Sequence, residues 1–189
     1  MAIHQFYLTA FPRKGIIEQF GDVPSKLEVD FNKRTENFLE NEFNDEIDYL
    51  EELMQKCWLF FEPNPKEIIT QIDKKLEREN WGNDNTSNKW KTETNNSDND
   101  AWLLTNNEIT KIEEFTFRAD LRQKNLKFLK EMIDLAKNYD LILMNSKGNL
   151  SEPKMNEIGK LIEDSNAFRY VTNPIKFLSD LNEGKIIIE

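Results

Sequence analysis

Two arginines and an aspartate at two-residue spacing, Arg118, Asp120 and Arg122, end the stretch EEFTFRADLR at 113–122. A guanidinium is a planar fork that holds a carboxylate or phosphate through two parallel hydrogen bonds, so the trio is a candidate anion site. The same spacing also suits a self-paired ladder, because residues two apart on a strand share a face. Both readings stay open at the level of sequence. Around the trio, Phe115, Phe117, Ala119 and Leu121 alternate with polar positions. That period of two predicts a strand with one buried and one wet face.

A second candidate is an acidic run. Glu36, Glu40, Glu42, Asp45, Glu46, Asp48, Glu51 and Glu52 follow one another with no Lys or Arg among them. Surface helices gain from opposite signs at i and i+4, whereas here Asp48 and Glu52 repel. Such a field attracts a basic partner and speeds association. Phe38, Phe43 and Tyr49 are aromatic anchors for the same contact. Glu40, Glu42, Asp45, Glu46, Asp48, Glu51 and Glu52 are therefore assigned to partner binding. A plain solvated helix face is the competing reading.

Other chemistries find little material. His4 is the one histidine, which excludes His-pair metal sites and two-histidine mechanisms. Cys57 is the one cysteine, in the apolar setting MQKCWLFF, and reads as a buried small hydrophobe. One cysteine allows no intrachain disulfide. The six glycines form neither a Walker loop nor GxGxxG, and no Ser sits in a G-x-S-x-G frame. Asp98 and Asp100 with Asn96 and Asn99 could face a hard cation, but they lack the spaced ligands of a calcium loop. No metal and no cofactor is expected.

The formal net charge is -10 and the pI about 4.8. That balance disfavours nucleic acid and anionic membranes as partners. The start MAIHQFYLTAF lacks the basic and apolar regions of a signal peptide, and no apolar run reaches spanning length. A cytoplasmic location is the expectation. With 189 residues, 13 Phe and 4 Trp, the chain suits a single domain, 1–189, with a real core.

The elements that must position these residues follow from periodicity. Strands are predicted at Ile3–Phe11, Lys26–Phe31, Ala101–Thr105, Ile109–Leu121 and Asp140–Asn145, with a further one at Lys185–Ile188. Helices are predicted at Asn44–Phe60, Pro65–Asn80, Lys124–Asn138, Pro153–Asp164 and Pro174–Leu181. The stretch 82–100, rich in Asn, Asp, Ser and Thr, predicts a polar loop with at most a short strand near Lys89–Thr94. Paired strands mixed with helices give an α+β fold, a mainly antiparallel sheet with helices packed on it.

From FTFRADLR through LKFLKEMIDLAKNYDLILMNSKGNLSEP to SNAFRYVTNPIKFLSDL, about the last 80 residues, the chain resembles small bacterial immunity-type proteins. These are cytoplasmic antidotes of polymorphic or contact-delivered toxins. The shared organisation is a strand with a polar face, a helix, a short apolar strand, a turn with Pro, and helices with an Asn-Pro start. The resemblance implies a single-domain binder without catalysis that holds a toxin domain, such as a nuclease, by an acidic surface. It carries over no individual residue. Two other classes stand beside it. One is an enzyme using Arg118, Asp120 and Arg122 on a small anionic substrate, which requires a concave pocket. The other is a scaffold homodimer closed by an apolar patch around Trp58, Phe60 and Phe61.

Overall fold

The computed structural model describes residues 2–28, 49–80, 84, 86–94 and 97–186, with the backbone alone at 49–51, 93 and 94. In chain order the elements are β1 (Gln5–Pro12), α1 (Arg13–Phe20), α2 (Tyr49–Trp58), α3 (Pro65–Asp73), β2 (Ser87–Thr94), β3 (Ser97–Thr105), β4 (Ile112–Asp120), α4 (Lys127–Asn138), β5 (Leu141–Asn145), β6 (Leu150–Ser151), α5 (Met155–Glu163), α6 (Asn166–Thr172) and α7 (Pro174–Asn182). The six strands form one antiparallel sheet in the order β2-β3-β4-β1-β5-β6. The α+β expectation therefore holds.

Registers explain which face is dry. Phe6 and Leu8 of β1 stand opposite Ala119 and Phe117 of β4, and Leu103 of β3 stands opposite Phe115. All six are buried, and α2 and α4 pack on this side of β4. Trp58, Ile68, Ile72, Leu129 and Met132 fill the space between. Their helical spacing puts one apolar stripe of each helix toward the sheet. Caps set several starts: Asn64 accepts from the Lys66 amide, Ser165 from Phe168 and Asn173 from Lys176. Pro65 and Pro174 occupy first-turn positions where no amide is needed.

Several sequence expectations are corrected. The stretch 82–100 is largely a hairpin, β2 paired with β3 from Ser87↔Leu104 to Thr94↔Ser97. Polar side chains there satisfy one another: buried Asn99 donates to Thr92 Oγ1 at 3.1 Å and Ser97 Oγ at 2.8 Å. Fully buried Trp90 supplies the apolar anchor that composition alone obscures. Of the strand predicted at Lys26–Phe31, Lys26 makes one bridge to Asn149 and Leu27 is buried, while 29–31 lie outside the described residues. The helix predicted to Asn80 ends at Asp73, because the chain turns and Arg78 bridges to Trp90 along the edge of β2. A helix not foreseen, α1, starts directly after Pro12 and ends at left-handed Gly21 (φ 82°). Lys185 is not in a strand, and 187–189 lie outside the described residues.

Among the described residues no helix is long and apolar enough to cross a membrane.

Candidate functional site

The charged stripe is set by the β3–β4 register, which places Asp100 directly opposite Arg118. Arg118 Nε donates to Asp100 Oδ1 at 2.8 Å, and its Nη2 lies 2.7 Å from Oδ2. From β1, Gln5 Nε2 donates to the Asp98 carbonyl at 2.8 Å and to Asp100 Oδ2 at 3.3 Å. Asp98 in turn has His4 Nε2 at 3.6 Å and Lys91 Nζ at 3.9 Å.

Asp120 is the most enclosed member, with a side chain 0% exposed. Its carboxylate accepts from the Asp98 amide at 3.0 Å, the Arg122 amide at 2.9 Å and Arg122 Nη2 at 2.7 Å. Its own amide donates to Asn99 Oδ1 at 2.8 Å. Burial resists ionisation of Asp120, but the hydrogen bonds and charge of Arg122 outweigh it and hold the carboxyl below its usual range. Arg122 is held above its usual value by the same pair. For Arg118 burial works against the charge, and Asp100 more than compensates.

The ladder expected along one strand is thus split between strands. Arg122 pairs with Asp120, whereas Arg118 pairs with Asp100. Each guanidinium already holds a carboxylate, so an external anion competes with Asp100 or Asp120 for its fork. Toward β3 the face is exposed, with Trp102 at 36% and the Arg118 side chain at 34%. Trp102 Nε1 donates to Ser87 Oγ at 3.0 Å, and Lys89 Nζ stands 5.2 Å from its ring centroid. Toward β1, Thr9 and Thr116 are buried and α6 touches the strand.

Sequence reasoning missed His4, Gln5, Asp98 and Asp100 as members of this network. The signal was present in SDNDAW, where Asp98, Asp100 and Trp102 alternate with buried Ser97, Asn99 and Ala101. In the setting considered for a cation, Asp100 pairs with Arg118 and Asp98 has Lys91 Nζ at 3.9 Å, and Asn96 lies outside the described residues. Among the described residues no group of three or more His, Cys, Asp or Glu could hold a metal ion.

Of the acidic run, Glu40, Glu42, Asp45, Glu46 and Asp48 lie outside the described residues, as do Phe38 and Phe43. Glu51 and Tyr49 are placed in α2 by backbone only. Glu52 is exposed on α2 and pairs with Lys56 at 2.6 Å.

Cys57 is 0% exposed, and removal from water pushes its thiol up to about 12. A thiol so placed is a poor nucleophile. In the apolar stretch around Trp58, Phe60 and Phe61, Leu59 is 62% exposed and Phe60 is half-buried. Trp58 is 2% exposed, and half-buried Phe61 packs edge-on against it at 5.0 Å. Between α3 and α4 lies a depression of about 340 Å³ lined by Gln71, Lys75, Glu131, Asp134, Leu135, Asn138 and Tyr139. It contains no residue of the charged stripe or of the acidic run.

The chain matches no family model, no curated protein and no solved structure.

Proposed function

We propose that the protein is a non-catalytic binder that captures a basic partner through its acidic run, in the manner of an immunity-type antidote to a toxin domain. The distribution of charge carries this reading. The run from Glu36 to Glu52 holds eight of the 35 acidic residues and none of the 25 basic ones, leaving 27 acids against 25 bases elsewhere. Nearly the whole net charge of -10 is thus gathered in one short segment. A field so concentrated steers a basic partner into encounter.

The described chain supports the same reading. Arg13, Arg78, Arg118 and Arg122 each hold a carboxylate, so much of the remaining charge is compensated internally. The thiol is buried, and the arginine forks are occupied. The reading carries a cytoplasmic location, where a partner such as a nuclease domain would act.

The test is co-expression with the product of the adjacent reading frame, followed by titration calorimetry at rising salt. A complex whose affinity falls at least about tenfold between about 0.05 and 0.5 M salt is expected. No complex, or one indifferent to salt, contradicts the proposal.

A further inference from the structure

Among the described residues, the last two helices expose large apolar side chains. Phe168 on α6 is 38% exposed, and on α7 Leu178 is 49% and Ile175 83% exposed. Of α7 only Phe177 is buried, edge-on against Tyr170 at 5.8 Å. Ile175 and Leu178 are three residues apart and share a helix face, with half-buried Leu181 at its border. The other positions on that face, Ser179 and Asn182, are uncharged. In a chain whose net charge is -10, a neutral apolar stripe is where two copies meet with least repulsion.

The flank of the stripe points to a second copy as the occupant. Lys176 and Glu183 are seven residues apart, so they lie within about 20° of each other around a 3.6-residue helix. Under a two-fold axis near Ser179, antiparallel copies bring each Lys176 to the other's Glu183. The same operation sets Leu178 against Leu181. A two-fold contact must be self-complementary, and opposite charges at both ends of one flank meet that condition. Within one chain Glu183 accepts from Ser179 Oγ and pairs with Lys185 at 2.6 Å. That pair is more than half exposed, so it exchanges readily.

We propose that α7 pairs antiparallel with α7 of a second copy, closing a homodimer over Leu178 and Leu181, with each Ile175 packed at the rim against Gly184 of the other copy. This inference is independent of the acidic-run reading. Sedimentation equilibrium from about 5 to 500 μM protein at about 0.15 M salt tests it. The wild-type chain is expected to pass from monomer to dimer in that range. Ile175→Asp, and separately Leu178→Asp, should weaken the dimer at least about tenfold. Ile175 is so exposed that its variant keeps the fold, which a thermal melt verifies. Lys176→Glu should weaken the dimer, and adding Glu183→Lys should restore it. A wild-type monomer throughout, which would leave the stripe to a different protein, overturns the proposal. So does a dimer indifferent to Ile175→Asp, and failure of the double variant to recover overturns the antiparallel arrangement.

Discussion

Asp120 shows how one residue of the stripe works as structure. It sits at the end of β4, ties the first residues of β3 through the Asp98 amide, and holds Arg122 in the turn that follows. Removing its charge leaves Arg122 without its partner. Arg122 is 42% exposed and can turn to water, so Asp120→Asn is expected to cost about 2 kcal/mol at neutral pH rather than the larger loss of a fully buried pair. The pH dependence has a fixed sign. The folded carboxyl lies below its unfolded value of about 3.9, so the pair stabilises fully above that pH. That stabilisation is lost as pH falls through the lower, folded value. Urea denaturation of both proteins at pH 7 and pH 3 should show the gap between them narrowing in acid. A gap that stays constant means another residue carries the effect.

At the scale of elements, the tightest constraint is the crossing of α1 and α2. A Cβ at Gly15 would stand 2.2 Å from the Cys57 carbonyl oxygen and 2.6 Å from its Cα. These are backbone atoms of a helix, which cannot swing aside. Gly15→Ala should therefore destabilise by about 3 kcal/mol, despite the better helix propensity of Ala. Chemical denaturation that finds the variant as stable as wild type would show that the helices separate without cost. This crossing was not legible in the sequence, because α1 has no N-cap side chain and follows a proline. The alternating strand at 112–120 and the stripe on α4 were legible, since burial imposes a period that composition does not hide. The β2–β3 hairpin was masked by its polarity. Buried Asn99 and Ser97 and half-buried Thr92 are joined by hydrogen bonds, which composition alone reads as solvation. The partner of Arg118 was hidden for the same reason, because it depends on the register of that hairpin.

At the scale of the molecule, two charge patterns coexist. Across the described sheet face, positive and negative groups are matched side chain to side chain. The run from Glu36 to Glu52 holds eight acids and no base, so most of the net charge collects there in sequence. The imbalance was legible in the sequence, whereas the self-compensation of the arginines needed the structure. The most direct test is charge reversal in the run, Glu46→Lys with Asp48→Lys and Glu51→Lys, read as the affinity for the adjacent frame's product by titration calorimetry. A loss of about a hundredfold or more with an unchanged thermal midpoint is the predicted result. Unaltered affinity in the reversed variant would contradict the account.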